Sequence, residues 1–139
     1  MDARFRFSSR TADIDRELVH RWLSTESYWA TGRPRATQET AIDGSRNYGV
    51  FDAETGAQVA YARVVTDGAT FAWLCDVFVD PAERGKGLGV GLIDGVVADL
   101  EPFGLKRILL ATGDAHGLYA RFGFGPLDDP SKLMARAGA

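Results

Sequence analysis

The segment Asp76-Val-Phe-Val-Asp80-Pro-Ala-Glu-Arg84-Gly-Lys-Gly-Leu-Gly89 decides how this chain is read. Its first half continues an aromatic and β-branched run that begins at Thr70, the composition of a strand. Pro81 ends the run, because proline cannot donate to a sheet ladder. Its second half is rich in glycine and leads into Leu88, Leu92, Val96 and Leu100 at helical spacing. Glycines between a strand and a helix let backbone N–H groups converge on an anion, and the helix N-terminus adds partial positive charge. Arg84 and Lys86 can reinforce such a phosphate site. The P-loop pattern fails, since no glycine-lysine pair here is followed by Ser or Thr. The dinucleotide pattern Gly-x-Gly-x-x-Gly also fails, with Val90 or Leu92 at the third glycine position. The plainer alternative is a tight turn followed by a thin helix face for packing.

Upstream, Asp67-Gly68 is a hairpin signal, since both residues tolerate positive φ. It separates the Thr70–Val79 strand from a strand over Gln58–Thr66, which follows another strand over Tyr48–Asp52 and a turn. Residues 4–7 alternate polar and apolar, as a short strand does. Asp13 is then a candidate N-cap for a helix with Ile14, Leu18, Trp22 and Leu23 on one face. Ser24–Pro34 reads as a loop, and residues 35–43 as a second helix stopped by Gly44. Downstream, Ile108–Ala111 reads as a buried strand. Asp114 can cap a last helix running through Phe122, with Gly123 at its C-terminal cap. The tail, 124–139, is long enough for one more hairpin. The expectation is an α/β fold with a mixed, mostly antiparallel sheet covered by helices on both faces in three layers.

Composition narrows the functional classes. The 139 residues suit one domain over 1–139, 45% are hydrophobic and 25% charged, and the net charge of −3 includes no basic block. Nucleic-acid binding is therefore not expected. The longest apolar stretches fall well short of the roughly 18 residues of a membrane span, and the first residues lack a signal-peptide pattern, so a cytoplasmic domain is expected. Cys75 is the only cysteine, which excludes an internal disulfide. His20 and His116 show no ligand spacing with each other or with Cys75, so no metal is assigned.

Two motifs together resemble a known family. Arg84-Gly-Lys-Gly-Leu-Gly89 is similar to the Arg/Gln-x-x-Gly-x-Gly/Ala signature of the GNAT superfamily of acetyl-CoA-dependent N-acetyltransferases, and Asp76–Pro81 looks like that family's strand four. About 30 residues on, Ala115-His-Gly-Leu-Tyr-Ala-Arg-Phe-Gly-Phe124 resembles its second motif, Ala-x-x-Leu-Tyr-x-Lys/Arg-x-Gly-Phe. The element order agrees across the chain, and the resemblance implies a central sheet splayed after strand four.

What the resemblance implies is direct acetyl transfer from acetyl-CoA to an amine of a small molecule or free amino group. The pyrophosphate is expected on the N–H groups of Gly85, Lys86, Gly87, Leu88 and Gly89, with Arg84 leading in. Pantetheine is expected along backbone groups of Val77 and Val79, with an N–H near Phe78 stabilising the developing oxyanion. Tyr119 falls on the family's tyrosine, the general acid for the departing thiolate; the plainer role is packing. Asp76 is the nearest carboxylate for a general base, or a structural partner for an arginine. Cys75 stands where many members carry glutamate, and reads as a buried inert thiol rather than a nucleophile. Thr112 replaces a frequent asparagine, so Thr112 or Asp114 is expected at the pantetheine. The acceptor is expected against Tyr28, Trp29 and Arg33 of the loop and Trp73 of the strand. Tyr28 and Trp29 could instead cover the core. Arg33 and its neighbour Arg35 could bind an acceptor carboxylate or lie solvated. A homodimer through edge strands or the C-terminal hairpin is a further expectation. The rival functions are a CoA-binding module without transfer, or acetylation of a protein N-terminus or lysine.

Overall fold

A computed structural model describes residues 1–138. In chain order it contains β1 (Phe5–Ser8), α1 (Arg16–Glu26), α2 (Arg35–Asp43), β2 (Arg46–Asp52), β3 (Gln58–Thr66), β4 (Phe71–Val79), α3 (Leu88–Leu100), β5 (Arg107–Leu109) and α4 (His116–Ala120). The strands form one sheet in the order β1-β2-β3-β4-β5, antiparallel except for the parallel β4–β5 pair. No helix among the described residues is long and apolar enough to cross a membrane.

Alternation along the strands feeds two cores, one on each face of the sheet. Val50, Ala60, Val64 and Leu74 pack against Leu88, Leu92, Ile93 and Val96 of α3. Phe51, Tyr61 and Phe78 face the other way, towards Val19, Trp22 and Leu23 of α1 and Ile42 of α2. The glycines of α3 thin one helix face: a Cβ on Gly95 would stand 2.5 Å from the Phe7 ring.

Several expected details are corrected. Asp15, not Asp13, caps α1 by accepting from the N–H of Leu18, while Asp13 is taken by the Ser8 hydroxyl at 2.6 Å. Asp114 does not cap α4; the Thr112 hydroxyl accepts from the N–H of Ala115 at 3.0 Å. That helix ends at Ala120, and the chain turns at Gly123, whose φ of +88° suits glycine. The expected hairpin is absent from residues 124–138, which hold only a short turn at Pro130–Lys132 and expose Leu133 and Met134; Ala139 lies outside the described residues.

The sheet opens at its end. Parallel pairing joins only Phe71–Trp73 to Arg107–Leu109. Beyond Trp73 no strand among the described residues pairs with β4 on that side, so its alternate backbone groups face a gap.

Candidate active site

The gap is part of a cleft of about 760 Å³. Its walls are the second half of β4, the loop between α1 and α2, the glycine turn before α3, and the segment from Ala111 to Tyr119. Its most distinctive backbone feature is a bulge in β4. Tyr61 opposes Phe78 and Arg63 opposes Cys75, so Ala62 alone faces both Asp76 and Val77. The extra residue reverses the alternation of β4: Ala72 and Leu74 face the α3 side, but Phe78 faces α1. Asp76 sits at the bulge with φ +53°, a left-handed conformation that Asp tolerates better than most residues.

The Asp76 carboxylate is buried and fully engaged. Oδ1 accepts from the Trp29 indole at 2.9 Å and from Arg33 Nη2 at 3.3 Å. Oδ2 accepts from Arg33 Nη1 and from Arg63 Nε, each at 2.7 Å. Burial pushes its pKa up, but the hydrogen bonds and charges of the two arginines outweigh this and hold the carboxyl below its ordinary value. Arg33 also donates from Nη1 to the side-chain Oε1 of Gln38 at 2.8 Å. Of the two weighed roles for Asp76, pairing with arginine is the one the geometry displays. Arg35 lies outside this cluster and pairs with Glu39.

Local hydrogen bonds fix the loop that delivers Trp29 and Arg33. The Ser27 hydroxyl accepts from the Ala30 N–H, the Gly32 N–H donates to Ser24, and His20 Nε2 donates to the Arg33 carbonyl at 2.8 Å. Tyr28 reaches across the cleft, where its hydroxyl accepts from the Gly113 N–H at 2.9 Å. Tyr28 and Trp29 are exposed and meet edge to face with ring centroids 5.0 Å apart. They line the cleft rather than cap the core, and Trp73 lines it too.

The glycine turn fits a diphosphate. Gly85 and Gly87 have φ +84° and +76°, and a Cβ on either would meet nothing within 4 Å. No backbone or side-chain acceptor within the described residues takes the N–H groups of Gly85 through Val90. Arg84 is anchored by donating from Nε to the Val79 carbonyl at 3.1 Å, with its guanidinium over the Phe78 ring. Lys86 is not on the cleft wall; its ammonium pairs with Glu83.

Tyr119 projects from α4 against Leu88 and its neighbours, with Phe124 edge-on at 5.9 Å. Burial, then the nearby charges of Asp114 and Tyr28, push its pKa up to about 12. Cys75 also lines the cleft, and burial raises its thiol to about 11, which leaves it protonated and unreactive at neutral pH.

The profile described as the acetyltransferase (GNAT) family matches residues 16–124. The chain belongs to the GNAT acetyltransferase family. A crystal structure of a GNAT-family protein from Xanthomonas campestris pv. campestris is 47% identical, with a TM-score of 0.90 over 96% of this chain and 93% of that one. Serotonin N-acetyltransferase 2 of rice is 38% identical over 58% of this chain, a match that takes in only 40% of the rice protein's length. A Mycobacterium tuberculosis protein solved in complex with CoA shares the fold, with 19% identity and a TM-score of 0.72 over 88% of this chain and 73% of that one. Acetyl-CoA is the donor that GNAT acetyltransferases use, and the open glycine turn and the unpaired edge of β4 suit it.

Arg63 was the residue that sequence reasoning missed. Its signal was a lone charge in the otherwise apolar run Val59–Val65. A charge there needs a buried counter-charge, but only the three-dimensional register shows that Asp76 supplies it.

Proposed function

We propose that the protein transfers the acetyl group of acetyl-CoA to the primary amine of a small molecule, in a ternary complex without a covalent enzyme intermediate. One observation carries the reading: a diphosphate cradle, an opened β4 edge and a proton-bearing tyrosine line a single cleft. When bound, acetyl-CoA supplies an acyl group activated as a thioester. The N–H groups of Gly85, Lys86, Gly87, Leu88 and Gly89 bind the diphosphate, with Arg84 beside them. Val77 and Val79 offer backbone groups to the pantetheine arm, as do Thr112 and Asp114 from the opposite wall. A β4 N–H near Phe78 stabilises negative charge on the acyl oxygen.

Tyr119 holds a proton at its hydroxyl and gives it to the departing sulfur. Asp76 acts by positioning: it locks Trp29 and Arg33 against β4, and its depressed pKa makes it a weak base. The acceptor therefore loses its proton to water. The inert thiol of Cys75 argues against an acyl-enzyme. The rice relative, named for acetylation of an amine, is consistent with this reading.

Calorimetric titration with acetyl-CoA, followed by an acceptor screen that reads thiol release, tests it. Micromolar binding and amine-dependent release are expected. Binding without release for any amine would leave the protein as a CoA-binding module.

A further inference from the structure

A hydrogen bond that spans the cleft carries an inference, which rests on the transferase reading above. Tyr28, on the loop between α1 and α2, and Gly113, between β5 and α4, are 85 residues apart in the chain. The Tyr28 hydroxyl nevertheless accepts from the Gly113 N–H at 2.9 Å, although the residue is 63% exposed. Exposed tyrosines ordinarily leave their hydroxyls to water, so this one is held in place for a reason.

Both ends of the contact are prepared for it. At the Tyr28 end, Trp29 is fixed by its indole bond to Asp76 and meets the Tyr28 ring edge to face. The tyrosine is thus held at its base by packing and at its tip by the bond to Gly113. At the other end, the Thr112 hydroxyl accepts from the Ala115 N–H at 3.0 Å and fixes the turn that presents Gly113. Gly113 is not among the glycines with positive φ, so its backbone conformation is open to other residues. A Cβ there would, however, stand 3.1 Å from the Tyr28 hydroxyl oxygen and 3.5 Å from its Cζ. Glycine at this position answers to the tyrosine and not to its own backbone.

The placement of the bridge gives it a use. Tyr119 and Leu88, at the end of the glycine turn, belong to the core on the α3 side of the sheet. Tyr28 reaches in from the α1 side, where its neighbour Ala30 is packed. The bridge therefore crosses the gap beside β4 on the side away from the diphosphate cradle, which is the side left for the acceptor. Closing an active site expels water and protects a reactive group from hydrolysis. A single neutral hydrogen bond biases such a closure by only about two- to tenfold, so the bridge also opens readily.

We propose that Tyr28 is a latch on the acceptor side of the cleft: clasped to Gly113 it keeps water from the acetyl thioester, and an incoming amine displaces it. In the reaction it suppresses, a water oxygen bonds to the acyl carbon, the C–S bond breaks, and acetate, CoA thiol and one proton are released.

The test measures acetyl-CoA hydrolysis with no amine present, in the full chain and in Tyr28→Phe, which keeps the ring and loses the hydroxyl. Hydrolysis should rise by about three- to tenfold in the variant, with acetyl-CoA affinity by calorimetry within about twofold of the parent. A readout independent of turnover is the Gly113 amide proton resonance, which should move upfield in Tyr28→Phe while those of Gly85 and Gly87 stay in place. Gly113→Ala should also speed hydrolysis, and combining it with Tyr28→Phe should add nothing, because both changes break one contact. Unchanged or slower hydrolysis in Tyr28→Phe, an unmoved Gly113 resonance, or additive effects in the double variant overturns the latch and leaves the transferase reading intact. A large loss of acetyl-CoA affinity in Tyr28→Phe assigns the hydroxyl to the donor and overturns the latch as well. Failure of the parent protein to bind acetyl-CoA overturns both.

Discussion

Asp76 and Tyr119 occupy opposite walls of one cleft, and their environments assign them opposite duties. In the mechanism proposed above, Tyr119 keeps its proton until the thiolate forms beside it. Tyr119→Phe should lower kcat by roughly 100-fold, the lower range for loss of a general acid, while calorimetry shows acetyl-CoA affinity within about twofold. Because its pKa is pushed up to about 12, no alkaline loss of activity from this group should appear below about pH 11. The acid limb of kcat/KM should instead follow the ammonium pKa of whichever acceptor is used, as a series of amines of differing basicity would reveal.

Asp76 is linked to stability. Its folded pKa is depressed, so the unfolded chain takes up its proton first as pH falls, and stability drops below about pH 4, the unfolded reference, through the lower folded value. Asp76→Asn strands two arginines in a mostly buried site and should destabilise by about 3 kcal/mol in urea melts. It should also remove the acid-dependent slope that Asp76 contributes. Tyr119 could be placed from its motif and Asp76 from its strand. Arg63 could not, because its meaning lies in a bulge that shifts register across two strands and leaves no local signature.

At the scale of elements, glycine spacing was readable, but its purposes differ between the turn before α3 and the helix itself. Gly85 and Gly87 supply left-handed turns, whereas Gly95 makes room for the Phe7 ring, itself stacked on Tyr48 with centroids 5.8 Å apart. Alanine is the better helix former by about 1 kcal/mol. Gly95→Ala should nevertheless destabilise by about 1–3 kcal/mol, the usual penalty of overpacking, measured by thermal and urea unfolding. The helix caps were less legible. Asp13 and Asp15 are chemically equivalent candidates, and only the nearby Ser8 hydroxyl decides between them. No side chain caps α4, and the Thr112 hydroxyl instead accepts from the N–H of Ala115, the residue at its N-cap. The missing hairpin has a related cause: the tail's apolar residues are too few and too irregularly spaced to pair without a face to bury.

The architecture of the whole molecule was the most legible level, since strand and helix periodicities over 48–100 leave few ways to cover both faces of a sheet. The cleft belongs to that architecture as well as to its side chains. Acetyl-CoA spanning the glycine turn and β4 should raise Tm by several degrees at a hundredfold excess over Kd, equivalent to about 2.7 kcal/mol. Gly85→Val, which forces a β-branched side chain into φ +84°, should abolish that shift.

The shortness of the β4–β5 pairing has a kinetic meaning. Three residue pairs and the Tyr28–Gly113 bridge are the main polar ties across the opened side of the sheet. The amides of β5 should therefore exchange with deuterium through local opening, orders of magnitude faster than those of β2 and β3, whose exchange waits for global unfolding. A ligand that fills the gap between β4 and α4 would join the two cooperative units into one. The protein would then report its own occupancy as a slowing of β5 exchange, before any chemistry takes place.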